Sequence, residues 1–285
     1  MHKSKKSAML REGISYVLSF LLTVCITLIT VLVIIRYGCF NEKILLNNMS
    51  TYGYYDFVYE DIMNDVEAIT LPTGLPASVY EEAIESTYIY SDINGKISAQ
   101  FKGEAYTSKS AEIKKNMKEN INAYLAGQGY SITEEEQKSI DAYVTEVIKD
   151  YDKYISMPLG TYLVKAKVIF DKVFLIALAA LAVISAVIIF VNLKLHKWVH
   201  RAMRYFSYSA LGCALMMISI PGYFYIRKIH YRLALSPESF YHLATTYIDD
   251  ILKLFLYFGL LWIVVAIILI ITTMFAKKNI KKGHK

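Results

Sequence analysis

Six histidines, three cysteines and two runs of glutamate are the side chains of this 285-residue chain whose types and spacing could do chemistry. His196 and His200 are four apart, and on a helix that spacing turns two imidazoles to one face, where they can ligate a metal. The run His196-Lys197-Trp198-Val199-His200 carries no carboxylate at its second position, where a zinc protease holds its general base. Lys194, Lys197, Arg201 and Arg204 surround the pair and repel a cation. The segment therefore reads as a basic interfacial turn anchored by Trp198 and Tyr205. The other histidines, His2, His230, His242 and His284, are scattered. Glu81-Glu82 and Glu134-Glu135-Glu136 have the hard oxygen ligands a divalent cation takes. They fall near expected helix starts, where the helix dipole and solvation account for acids. Cys25 and Cys213 lie in apolar runs and Cys39 stands outside them, so no internal disulfide and no zinc spacing is expected. The sequon Asn48-Met49-Ser50 matters only in a eukaryotic secretory pathway. No phosphate-binding loop, dinucleotide fingerprint, nucleophile elbow or kinase set appears. No catalytic, cofactor-binding or metal residue is expected, and the chain reads as a non-enzyme.

The elements that carry these residues are apolar. Hydrophobic residues make up 55% of the chain and charged residues 20%, a balance that points away from an ordinary soluble domain and from a disordered one. A helix rises about 1.5 Å per residue, so roughly 20 apolar residues cross a hydrocarbon core of about 30 Å. Ile14–Ile35, Val173–Leu193, Phe206–Ile226 and Leu254–Ala276 meet that length without a charged residue, and predict four transmembrane helices. With no ionisable side chain inside the bilayer, ion-coupled secondary transport is disfavoured.

Charge predicts the orientation. Residues 1–13, 194–205 and 277–285 hold 13 Lys and Arg in 34 positions, whereas the short segment 227–253 holds 4 in 27. Short loops rich in Lys and Arg stay in the cytoplasm. Both termini and the 194–205 loop are therefore expected inside, with 36–172 an extracytoplasmic domain and 227–253 an extracytoplasmic loop. The basic segments suit an anionic inner leaflet, so the net charge of +6 signals the membrane and not nucleic acid. The first apolar run, 22 residues long with no A-x-A site after it, exceeds a signal-peptide core. Arg36-Tyr37-Gly38 before Cys39 is no lipobox, so neither cleavage nor lipidation is expected.

Residues 36–172 read as a mostly helical domain. Tyr55, Val58, Tyr59, Ile62, Val66 and Ile69 repeat at three and four, as do Ile140, Tyr143, Val144, Val147, Tyr151, Tyr154 and Ile155. Leu71-Pro72-Thr73-Gly74-Leu75-Pro76 ends the first helix, and Ser78 begins a short one. Ser108 or Ser110 is expected to cap the next. Thr133 and Glu136 form a capping-box pattern. Pro158 and Gly160 interrupt the chain before the second span. Residues 86–107 leave two readings open: Thr87-Tyr88-Ile89-Tyr90 with Asn94-Gly95 signals a hairpin, and a helix is the other. Fifteen of the 24 tyrosines lie in 36–172, either as a partner-binding face or as core and interface residues; those on the stripes favour the core.

In the spans, Ala182 and Ala186, and Ala210 and Ala214, are small-residue pairs that predict packing of the second span on the third. Pro221-Gly222 should kink the third span. Ser236-Pro237-Glu238 should start a helix outside the membrane that continues into the fourth. The apolar side of that helix, with Phe240 and Leu243, needs a cover. The domain is the expected one, through Leu163, Val164, Val168 and Ile169, coupling domain position to span position.

The order of basic N-terminus, span, large external domain and three grouped spans resembles the MacB/FtsX-type ABC permeases. The resemblance is one of topology and implies a separate cytoplasmic ATPase partner; no functional residue carries over. The segments Leu71-Pro72-Thr73-Gly74-Leu75-Pro76 and Leu235-Ser236-Pro237-Glu238-Ser239-Phe240-Tyr241 are similar to those of uncharacterised four-span membrane proteins of Gram-positive bacteria, a likeness that covers most of the chain and implies no activity. Leu71–Gly74 lacks the x of the sortase signal L-P-x-T-G. Two functions follow as expectations. The first is a non-enzymatic membrane protein whose external domain binds a partner or envelope component. The second is a permease subunit driven by an ATPase. The expected partners are the bilayer, a protein bound by the domain and, on the second reading, the ATPase.

Overall fold

Backbone N–H and C=O groups in hydrocarbon have no water to bond, so a spanning segment must close its own hydrogen bonds as a helix. The computed structural model describes residues 2–156, 158–196 and 198–282, with side chains for 9–156, 163–196 and 198–278. His284 and Lys197, and the side chains of His2, Lys3, Lys5 and Lys6, lie outside the described residues. Every regular element among the described residues is helical. These are α1 (His2–Ile34), α2 (Glu42–Thr51), α3 (Tyr54–Thr70), α4 (Ser78–Glu81), α5 (Ser86–Lys102), α6 (Ser110–Gly127), α7 (Glu134–Ile155), α8 (Pro158–Leu195), α9 (Val199–Arg227) and α10 (Glu238–Lys282). α1 runs on into a wider turn over Ile35–Cys39. Four stretches are long and apolar enough to cross a membrane: Met9–Cys39, Leu163–Leu195, Val199–Arg227 and Glu238–Lys278. The outward faces are large and apolar; on α8, Ile176 is 72% exposed and Val183 63%. Such surfaces are compatible with a multi-pass membrane protein, because lipid and not water is their favourable surrounding.

The chain divides into two compact units, Met1–Phe40 with Lys167–Arg232 and Ile248–Lys285, and Asn41–Ala166 with Leu233–Tyr247. In the first, α1 packs on α9 through small and hydroxylated residues. Ser19 Oγ donates to the Tyr205 carbonyl (2.8 Å), Ser209 Oγ donates to the Ser19 carbonyl (2.8 Å), and Thr23 Oγ1 donates to the Ser209 carbonyl (3.4 Å). A Cβ on Gly212 would stand 2.8 Å from Thr23 Cγ2, so only glycine lets the two helices approach this closely. Trp262 of α10 donates its indole N–H to Thr30 Oγ1 (3.1 Å). α8 reaches α1 through Ile188, which meets Leu22 and Cys25.

One expectation for the spans changes. α9 takes its close packing from α1 and not from the preceding α8. Ala182 and Ala186 on α8 face outward, while Ala210 and Ala214 on α9 are buried. The hydroxyl-to-carbonyl bonds of Ser19 and Ser209 favour α1 as the partner, because in hydrocarbon each such group needs an acceptor. α9 runs as one helix from Val199 to Arg227 with Pro221, the expected kink position, inside it.

The second unit is a helical domain around one core. Val58, Ile62 and Val66 of α3, Ile89, Ile93 and Ile97 of α5, Ile113, Met117 and Ile121 of α6, and Val144, Val147 and Tyr151 of α7 are all buried in it. The capping box forms: Glu136 N–H donates to Thr133 Oγ1 (3.3 Å) and Thr133 N–H donates to Glu136 Oε2 (2.7 Å), which holds the Glu136 carboxyl below its ordinary pKa. Leu71–Thr73 tightens into a 3₁₀ turn closed by Gly74 at φ +71°. α7 stops at Ile155 and α8 opens at Pro158.

Residues 86–102 are helix, not hairpin. Asn94-Gly95 sits mid-helix because tertiary contacts claim both residues. Tyr55 donates to Asn94 Oδ1 (2.6 Å), and the Tyr106 ring lies where a Gly95 Cβ would be, 2.2 Å from its Cε2. Leu233–Tyr247 also belongs to this domain. Leu243 is buried in its core, Leu163 packs against that core, and the Ser239 N–H points at Asp61 Oδ2 (3.4 Å). Val168 and Ile169, expected to help cover this segment, are 50% and 67% exposed. The helix α10 begins one residue later than the cap pattern predicts, with the Pro237 carbonyl accepting from the Phe240 and Tyr241 amides.

Candidate functional site

Sites in this molecule arise where helices from distant parts of the chain bring polar groups or gaps together. In the domain the polar centre is Asp92. α5 carries it on the same stripe as Ile89, Ile93 and Ile97, so the carboxylate enters the core and is fully buried. It is satisfied there: Tyr151 donates to Oδ2 (2.7 Å), Tyr106 donates to Oδ1 (3.0 Å), and the Lys109 N–H donates to both oxygens (2.9 and 3.1 Å). Asp92 therefore caps α6 from another helix. Ser108 and Ser110 bond instead to each other and to Asp152. Burial first, and then the Asp92 carboxylate, push the Tyr151 and Tyr106 hydroxyls above their ordinary pKa. With every oxygen partnered, Asp92 organises α5, α6 and α7.

Beside the core, a cavity of about 260 Å³ opens between the Thr73–Leu75 turn, the end of α6 and the start of α7. Its wall is apolar: Leu75, Ile121, Leu125, Ile132 and Ile140. Its rim carries Tyr130, which is 69% exposed, with Glu136 and Ser139. The capping box fixes the start of α7, and the left-handed Gly74 fixes the turn, so both sides of the groove are held by local backbone geometry. An apolar pocket with a few polar groups at its edge suits binding of an apolar side chain.

In the membrane-compatible unit, a cavity of about 550 Å³ lies among the ends of α1, α8, α9 and α10. Arg11, Arg201, Arg204 and Lys277 line it with His196 and His200; Glu12 is the acid among them. His196 lies beyond the end of α8 and His200 within α9, so the two are not turned to one face of a single helix as the spacing suggests. His196 Nε2 is 2.9 Å from Ser15 Oγ, and its ring stacks on Tyr205. Burial and then Arg201, Arg204 and Arg11 lower the His196 pKa. Tyr205, expected as an interface anchor, is fully buried; Trp198 is the exposed one at 37%. Among the described residues no three His, Cys, Asp or Glu side chains gather as a metal site requires. No family model, curated protein or solved structure matches this chain.

The remaining sequence candidates have structural explanations. None of the three cysteines forms a disulfide. Asn48 of the sequon is buried, and Thr246 donates to its Oδ1 (3.2 Å). Tyr143 and Tyr154 pack against the core and place their hydroxyls on Thr70 and Asp65, both at 2.6 Å. Asp92 was missed, although its spacing of three from Ile89 and one from Ile93 puts it on the apolar stripe.

Proposed function

We propose that this chain is a multi-pass membrane protein that holds its helical domain on the extracytoplasmic side and binds a protein partner there, without catalysing a reaction. The observation that carries the reading is the groove beside α7: an apolar wall left open between fixed backbone segments, with an exposed tyrosine at its rim. Tyrosine brings contact area at small entropic cost, which suits a binding surface. The orientation rests on the 13 basic residues in 34 positions of the three short segments, against 4 in 27 of residues 227–253. The occupant that fits is a short apolar segment of a neighbouring envelope protein.

A photo-crosslinking residue in place of Tyr130, in the full chain in native membranes, tests this. A discrete protein adduct is expected, and it should disappear with Leu125→Glu in the groove wall. Adducts to lipid alone, or a protein adduct indifferent to Leu125→Glu, would overturn the assignment. Recovery of a cytoplasmic ATPase as a stoichiometric companion of the same complex would favour the permease reading.

A further inference from the structure

The basic cavity at the ends of α1, α8, α9 and α10 is not needed for partner binding by the domain, and its chemistry points elsewhere. Three separate stretches of chain deliver its cations: Arg11 from α1, Arg201 and Arg204 from α9, and Lys277 from α10. Against these stands Glu12 alone, so four positive groups and one negative leave a formal +3 on the lining. Among the described residues no carboxylate pairs with Arg201, Arg204 or Lys277. Arg204 donates to the Tyr205 hydroxyl (3.2 Å), which leaves most of its guanidinium donors for another group. The Nδ1 of His200 is buried without a hydrogen-bond partner. Like charges brought around one cavity repel, and an anion with several acceptor oxygens relieves that repulsion while filling donors.

We infer that this cavity is a binding site for a phosphate group, and that the phosphate is the headgroup of an anionic phospholipid. Two features select a lipid over a free phosphate. The site lies near the ends of helices long and apolar enough to cross a membrane, and basic side chains at such ends attract anionic headgroups. Its wall also includes the apolar Leu195 and Met274, the second 66% exposed, a surface suited to the glycerol and upper acyl region. A volume of about 550 Å³ is within the roughly 300–1,000 Å³ of small-molecule sites. Three of the four cations in the lining are arginines, the side chain whose planar donors match phosphate oxygens.

The test is native mass spectrometry of the full chain in neutral detergent, titrated with phosphatidylglycerol, with phosphatidylcholine and with inorganic phosphate. Phosphatidylglycerol should bind with at least tenfold preference over phosphatidylcholine. The double variant Arg201→Gln/Lys277→Gln should weaken that binding by about thirtyfold, while Arg201→Lys/Lys277→Arg, which keeps both charges, should retain most of it. Lys138→Gln on the domain should change nothing, and an unchanged melting temperature in neutral detergent shows that the variants fold. Equal retention of the two lipids, or anionic-lipid binding that survives the loss of both charges, would overturn the lipid assignment. Inorganic phosphate that binds and is lost in the double variant, without lipid selectivity, would contradict the lipid source and leave a soluble phosphorylated ligand.

Discussion

Replacing Asp92 by alanine removes the acceptor that α5 offers to α6 and α7. The Tyr151 hydroxyl, in a side chain with no exposure, and the Lys109 N–H at the start of α6 then lose their partner. The buried Tyr151 hydroxyl left unsatisfied costs about 1–3 kcal/mol, and loss of the cap on the amide of the exposed Lys109 costs about 1 kcal/mol. Tyr106 is half-buried and can turn its hydroxyl to water, so it adds little. Relief from holding a carboxylate in the core offsets part of the loss. The net expectation is about 2 kcal/mol, which corresponds to roughly thirtyfold faster amide exchange in α5, α6 and α7 wherever exchange goes through opening of the domain. Hydrogen–deuterium exchange of the full chain in detergent reads this directly, with the peptides of α1 and α9 as internal controls. Tyr151→Phe in the Asp92→Ala background removes the orphaned hydroxyl and should restore part of the protection. Asp141→Ala, which breaks the exposed pair with Lys118 (2.6 Å), should leave exchange nearly unchanged. Protection in Asp92→Ala equal to wild type, or no difference from Asp141→Ala, would refute the view that Asp92 organises the domain.

Thr133→Ala removes the hydroxyl half of the capping box and should cost about 1 kcal/mol, seen as faster exchange confined to the first turns of α7. Gly212→Val places side-chain atoms where Thr23 already sits, and should lower the melting temperature in detergent by an amount equivalent to about 1–3 kcal/mol of overpacking, partly recovered by Thr23→Ala. Buried tyrosines set the alkaline limit: Tyr55 is pushed up to about 12, chiefly by burial, and Tyr54, Tyr143, Tyr151 and Tyr154 are also raised. Because the folded domain keeps these protons longer than the unfolded chain, their stabilisation is intact below pH 10 and falls as pH rises from about 10 to 12. Tyrosinate absorbance of this group should therefore appear together with loss of helical circular dichroism; ionisation near pH 10 with the helices intact would contradict the buried placement.

What was legible in the sequence was local or periodic. The four apolar runs, the stripe on α7 and the Thr133/Glu136 cap each depend on residues within a few turns of one another, and the structure keeps all of them. The 86–107 segment was harder because its local signal is misleading: Asn94-Gly95 favours a turn in isolation, and only Tyr55 and Tyr106, 39 and 11 residues away, show why it stays helical. The Asp92 cap of α6 likewise spans 17 residues and displaces the nearer serines. The groove was not visible, since its walls come from the turn at Thr73, the end of α6 and the start of α7. For the basic cavity the charges were plain in three short segments; their convergence around one space required the packing of the helices.

The most direct measurement of the central claim is the sidedness of the domain in intact cells. With Cys39 replaced by serine, cysteine at the exposed groove-rim position, Ser139→Cys, should react with a membrane-impermeant maleimide without lysis. Ser4→Cys, in the basic N-terminal segment, should react only after the membrane is opened. Labelling of Ser4→Cys in intact cells, with Ser139→Cys protected until lysis, would put the domain and its groove on the cytoplasmic side and contradict the account.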